Sequence, residues 1–176
     1  AELGVSQQVT FDVARRSAAL ISPSINELPS ILPRPPELRD RIVFLTDVQS
    51  GRQCSGCQEQ VAMPVDGLQS AVLRLYGPRA GGLVSQNLMS SYSFSDLTQY
   101  LNGNITEFEQ LKTDLQMANW VVVSMIKPAA AQPDSMAFKR LISERLDLIQ
   151  NKKVIVFAFG APYYLDATDI SKLSAY

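Results

Sequence analysis

The sequence predicts an α/β fold, a mainly parallel sheet with helices packed on both faces. Two observations carry that expectation. Short β-branched and aliphatic runs, RIVFLTD (41–47), WVVVSMI (120–126) and VIVFAF (154–159), alternate with longer segments whose apolar residues recur at helical spacing. The runs are continuously apolar rather than alternating, as strands covered on both faces require. At 176 residues, 46% apolar and 19% charged, the chain is globular and long enough for one domain with a substantial core.

Taken in order, TFDVARRSAALI (10–21) reads as a helix. Thr10 can cap it, Asp12 suits the positive end of its dipole and Pro23 stops it. The next stretch, SPSINELPSILPRPPELRD, holds five prolines between Pro23 and Pro36. Each fixes φ and removes an amide donor, so an extended connector is expected there, not a core element. Residues 1–40 are therefore assigned to an inter-domain helix and proline-rich strap, and 41–176 to an α/β sandwich domain. The first residue is not Met and the chain begins within an element, as expected of a processed or excised piece.

After the first strand (41–47), GLQSAVLRLYG (67–77) has helical spacing at Leu68, Val72 and Leu75 and ends on glycine. NLMSSYSF (87–94) reads as the second strand and SDLTQYLNG (95–103) as a short helix. TEFEQLKTDLQMA (106–118) opens on a capping box, Thr106 and Glu109, with Phe108, Leu111, Leu115 and Ala118 on one face. The third strand (120–126) leads to a helix over 136–150, whose Phe138, Leu141, Ile142, Leu146 and Ile149 share a stripe. The fourth strand (154–159) is followed by DATDISKLSAY (166–176), which begins another helix. Right-handed crossovers make a flavodoxin-like three-layer sandwich, strand order 2-1-3-4, the expected arrangement.

Composition excludes several function classes. There is no histidine, which rules out a Ser-His-Asp or Cys-His catalytic centre and any His-ligated metal site made by this chain alone. Sixteen basic and seventeen acidic residues are well mixed, so no basic face marks a nucleic-acid partner. No apolar run approaches the ~18 to 20 residues of a spanning helix, and no membrane partner is expected. The start lacks the basic, apolar, small-residue order of a secretory leader.

In such a sheet, ligands bind at the carboxyl ends of the strands, near the switch point. Asp47 and the loop after it, Lys127 after the third strand, and GAPYYL (160–165) after the fourth lie there. Within the first loop, Ser50, Gly51 and Arg52 could face a phosphate or a flavin. Phosphate-cradling loops run directly into a helix, however, and here residues 52–66, Pro64 among them, intervene. A receiver-type phosphoacceptor site needs paired acids after the first strand and an Asp after the third. Asp47 stands alone and the third strand ends SMIKP, which excludes it. No cofactor is expected.

Cys54 and Cys57, the only cysteines, form a C-x-x-C pair in RQCSGCQ. A structural zinc needs about four ligands and this pair supplies two, so no metal is expected. A thioredoxin-like centre needs the pair at a helix start, and QEQVAMP (58–64) does not read as one. A local disulfide bracing the loop, or two free thiols, remains. Asn104-Ile105-Thr106 matches a glycosylation acceptor, but the same residues serve a helix start. Glu59, Asp66 and Asp166 are carboxylates of the type glycoside hydrolysis uses, yet spacing pairs none of them with another. Tyr163 and Tyr164, at a strand's carboxyl end, can line a sugar site or a domain interface, and the interface role is the expected one.

Several segments together resemble glycoside hydrolase family 3. ARRSAALISPSINELPSILP followed by RIVFLTD resembles the junction where that family's chain leaves its catalytic (β/α)8 barrel and enters an α/β sandwich. ANWVVVSMI is similar to the middle strand of that sandwich. VIVFAFGAPYYLDATDISKLSAY is similar to the strand, N-P-Y-type turn and helix of the β-N-acetylglucosaminidase branch, with Ala161 standing where many relatives have Asn. LRLYGPRAGG and NKKVIVFAF look closest to large family 3 proteins, and the C-x-x-C pair is not a general family feature.

The resemblance implies a non-catalytic accessory C-terminal domain. Its expected partner is the (β/α)8 barrel of the same parent chain, with carbohydrate at the domain interface a further candidate. The branch's Asp nucleophile and Asp-His acid/base pair belong to the barrel, so no catalytic residue is expected here. The family places another strand beyond Tyr176, so one sheet edge is expected to be truncated. A different class of function stays open beside this one, a flavodoxin-like binding or thiol-redox module using the loop 47–63.

Overall fold

Strand β1 (Ile42–Thr46) is buried at every position, because it lies inside a sheet with side chains packed above and below it. The computed structural model describes residues 5–52, 54–126, 133–160 and 163–176. A two-residue hairpin, β2 (Ser50–Gly51) and β3 (Gln60–Val61), follows β1, and the remaining sheet strands are β4 (Met89–Ser93), β5 (Trp120–Met125) and β6 (Lys153–Ala158). The four-stranded sheet runs β4-β1-β5-β6 with every pairing parallel. In sheet strands alone this is the order 2-1-3-4 of a flavodoxin-like sandwich.

Strand periodicity divides the core into two layers. Val43, Leu45, Val121, Val123, Val154 and Val156 face the larger one. There α4 (Phe94–Leu101), α5 (Glu109–Met117), α6 (Ala137–Glu144) and α7 (Ala167–Ile170) close over the sheet. Leu97, Leu111, Leu115, Phe138 and Leu141 have no exposed surface left in this layer, where truncating one to alanine typically costs about 2–5 kcal/mol. Ile42, Phe44, Trp120, Val122 and Ile155 face the other layer, covered by α3 (Gly67–Tyr76) through Leu68, Val72 and Leu73. Leu75, on the expected stripe, points outward instead, and Leu73 takes the inward position.

The proline-rich strap differs from a free connector. It holds one helical turn, α2 (Leu28–Ile31), and lays Leu32 onto the smaller layer. Two polar ties fix it. The Lys153 ammonium donates to the Ile31 carbonyl at 2.7 Å. Asp40, 8% exposed, accepts from the Glu37 amide at 3.0 Å, the Arg34 guanidinium at 3.1 Å and the Trp120 indole at 3.1 Å. Burial opposes the charge on Asp40, but those three donors outweigh it and hold its carboxyl below the usual carboxylate range.

Four local expectations shift. The first helix, α1, spans Val5–Ser17, so Thr10 lies inside it and does not cap it. The chain leaves the helix early because the Ile21 and Ser22 amides donate to the Tyr176 carbonyl, at 2.7 and 3.0 Å, and the Tyr176 amide donates back to Ser22. Thr106 makes no cap either, since α5 starts at Glu109 after Phe108, and the capping box sits at Ser93 and Asp96 of α4. The helix expected over 136–150 breaks at Arg145, whose guanidinium pairs with Asp147, and a 3-10 turn (Leu146–Leu148) still delivers Leu148 and Ile149 to the core. Beyond α7, Ala175 bridges Ile155 in parallel and Val156 donates to the Ala175 carbonyl at 3.0 Å. The β6 edge therefore carries a short fifth segment over residues 174–176.

The Asp40 tie has a signed pH dependence. A depressed carboxyl pKa adds stability that is fully present above the unfolded value, about 3.9, and is lost as pH falls through the folded value. Asp40→Asn is expected to lose about 1–3 kcal/mol at pH 7, with the gap to the parent narrowing by pH 3. Urea unfolding at both pH values measures it, and a gap equal at the two would contradict the assignment.

Candidate functional site

The crevice at the carboxyl end of β1 arises from topology. The chain leaves β1 toward one face of the sheet and β5 toward the other, so their exits diverge. Asp47 fills the point of divergence and is 2% exposed. Its amide donates to the Ser124 carbonyl at 3.0 Å, while its carboxylate accepts from the Ile126 amide at 3.0 Å and from the Gln49 side-chain amide at 2.6 Å. Asp47 thus joins the exits of β1 and β5, a structural duty at the place where sequence alone put a ligand contact.

Outside this tie, a cleft of about 680 Å³ opens between the β1 exit and α4. Gln49 and Ser50 come from the β1 exit, Glu59 from the hairpin, Ser93 and Ser95 from the β4–α4 junction, and Asp134 and Ser135 from the turn before α6. Among the described residues, carboxylates and hydroxyls dominate the lining, and no Lys or Arg belongs to it. The Ser93 hydroxyl already accepts from the Asp96 amide at 3.1 Å, which uses one of the donors a helix start would offer an anion. These described groups can accept from, or donate to, hydroxyl- and amine-bearing molecules. Sequence reasoning did not assemble the wall, because its residues meet only through the parallel pairing of β1 with β4 and the packing of α6 beside α4.

The remaining expected residues lie apart. Arg52 is exposed on the hairpin and is absent from the cleft wall. Cys54 and Cys57 are joined by a disulfide at the hairpin tip, with Cα atoms 5.1 Å apart, and the Cys57 amide donates to the Cys54 carbonyl at 3.1 Å. The Ser50 hydroxyl bonds the Glu59 carboxylate below them. Tyr163 and Tyr164 follow β6, two strands along the sheet from β1, and diverge. Tyr163 is 87% exposed, whereas Tyr164 packs on the larger core layer. Gly160 permits that packing, since a Cβ there would sit 2.8 Å from the Ile126 carbonyl oxygen and 3.1 Å from the Tyr164 hydroxyl. Lys127, Ala161 and Pro162 lie outside the described residues.

The other carboxylates weighed for hydrolysis have local partners. Asp166 caps α7 by accepting from the Asp169 amide at 2.9 Å and pairs with Lys139 at 3.2 Å. That capping bond, with Lys139 beside it, holds the Asp166 carboxyl below the usual range. Asp66 accepts from Ser70 at 3.4 Å at the start of α3. Asn104 donates to the Gln99 side chain at 2.7 Å in the turn after α4. Among the described residues, no group of three or more His, Cys, Asp or Glu side chains is arranged to hold a metal ion.

A second surface stands out by its uncovered apolar side chains. Residues Ala14 to Ile21 and the β6 strand enclose a groove of about 810 Å³ that ends at Tyr176. Phe157 and Phe159 project from the same face of the β6 segment with ring centroids 6.4 Å apart, about half exposed each. Val9, Phe11 and Val13 on α1 and Ile21 beyond it are more than half exposed as well. No helix of the described residues is long and apolar enough to cross a membrane.

If Asp47 is a tie between strand exits, truncating it leaves the Ile126 amide without that acceptor. Asp47→Ala is expected to cost about 1–3 kcal/mol, and Asp47→Asn, which keeps one acceptor oxygen, clearly less. Chemical denaturation of the three proteins checks the order; equal losses in both variants would contradict the assigned role.

Compared with known proteins, the chain matches no family model, no curated protein and no solved structure.

Proposed function

We propose that the chain is the non-catalytic C-terminal α/β sandwich of a family 3 glycoside hydrolase of the β-N-acetylglucosaminidase type, packing on that enzyme's (β/α)8 barrel. The resemblance of the strap, of ANWVVVSMI and of the VIVFAFGAPYYLDATDISKLSAY segment motivates the family. The observation that carries the accessory role is the uncovered apolar surface along α1, residue 21 and the β6 edge. Exposed apolar side chains gathered on a folded unit suit a protein contact, because leaving them in water forfeits about 25 cal/mol for each Å² that could be buried. The α1 part of this surface lies on the segment that resembles the family's entry into the sandwich from the barrel.

The lack of histidine fits the same division of labour, since the branch's acid/base histidine belongs to the barrel. The carboxylates Asp66 and Asp166 are committed to local hydrogen bonds and Asp47 to the β5 exit, which suits a domain that shapes a site rather than performing hydrolysis. Carbohydrate at the domain interface would meet hydroxyl and carboxylate groups in the cleft and the exposed Tyr163 ring, both suited to sugars.

Hydrolysis of an aryl N-acetyl-β-glucosaminide tests the reading. The expected outcome is no turnover by this chain alone and ready turnover by the polypeptide in which it follows a (β/α)8 barrel. Strong activity from the chain alone would sink the accessory role, and an inert joined polypeptide would sink the glycosidase assignment.

A further inference from the structure

The hairpin after β1 differs from every other element in what holds it. Residues 50 to 62 are exposed apart from the half-buried Cys57, with Gln53 undescribed, and none contributes to either core layer. Its ladder has two residue pairs, Ser50 with Val61 and Gly51 with Gln60. Beyond those it has the Ala62 amide donating to the Gln49 carbonyl at 2.8 Å, the Ser50–Glu59 bond and the Cys54–Cys57 disulfide. A two-stranded ribbon with no packed face is marginal in water. The covalent link at its tip therefore carries an unusual share of its order.

That hairpin is also one wall of the polar cleft. Ser50 and Glu59 line the cleft directly, and Gln49 at its base both lines it and bonds Asp47. We propose that the Cys54–Cys57 disulfide is a redox-sensitive clip: oxidised, it holds the hairpin as the cleft's lip, and reduced, it frees the hairpin and opens the cleft.

The chemistry needs only a dithiol reductant. One thiolate of the dithiol attacks the exposed Cys54 sulfur, the Sγ–Sγ bond breaks and Cys57 leaves as a thiolate that takes a proton. The second thiolate of the dithiol then attacks the mixed disulfide and releases Cys54, so the dithiol ends as a disulfide and the protein carries two thiols. Both cysteines lie at a hairpin tip with no helix behind them, where solvent and a reductant can reach them. The clip goes beyond the accessory-domain reading and does not depend on it.

Arg52 supplies the readout, because trypsin cleaves after it only when the hairpin opens enough to enter a protease. The chain is reduced with dithiothreitol, freed of reductant without air, and digested with trypsin beside the oxidised chain and a Cys54→Ser/Cys57→Ser variant. Releasing a four-residue ring is expected to raise cleavage after Arg52 by at least about tenfold. Cleavage after Arg79, exposed in the loop beyond α3, should stay unchanged, and the double variant should match the reduced chain whether or not it saw reductant. Equal rates at Arg52 in oxidised and reduced chains would overturn the proposal. So would acceleration at Arg79 to the same degree, a reductant effect in the double variant, or two alkylatable thiols in the chain purified without reductant.

Discussion

Everything in this molecule is arranged around the two-sided burial of β1. Phe44 and Leu45 point to opposite faces and neither retains exposed surface, so each face must be closed by a separate layer. Parallel pairing to β4 on one side and β5 on the other then forces every connection to cross a face, and helices are the compact way to do so. The crevice at the end of β1 is a by-product of that constraint. Asp47 closes its floor with hydrogen bonds to the β5 exit.

The two layers are unequal. Four helices close the larger one, whereas α3, Leu32 and the strap cover the smaller. The strap is thus part of the fold's closure, and its polar ties at Asp40 and Lys153 compensate for the backbone donors its prolines lack. Where this covering runs out, at the β6 edge, aromatic side chains meet solvent. Uneven closure and uncovered apolar surface are one observation seen from two sides, and they are what the proposed packing on a second domain would use.

The buried strands were legible in the sequence because continuous aliphatic runs of strand length have few other uses, and the crossover rules then ordered them. Helix ends were less legible, since they depend on distant contacts: α1 stops at Ser17, and the chain just beyond it pairs through Ile21 and Ser22 with Tyr176, some 155 positions away. Thr106 offered a cap, but the helix begins at Glu109, and Ser93 with Asp96 makes the capping box instead. The hairpin was read as loop because its strands are two residues each and carry no alternating apolar pattern. Asp47 could be placed at a strand end from sequence, yet its role as a tie could not. The cleft needed the register of β1 with β4 before Glu59, Ser93 and Asp134 could be seen to share a wall.

Whether the uncovered apolar surface is a domain contact can be measured directly. Hydroxyl-radical footprinting of Phe11, Phe157 and Phe159, in this chain alone and joined behind the proposed (β/α)8 barrel, measures that. Ready oxidation of all three rings is expected in the isolated chain and strong protection in the joined one. Equal oxidation in both forms would contradict the domain contact.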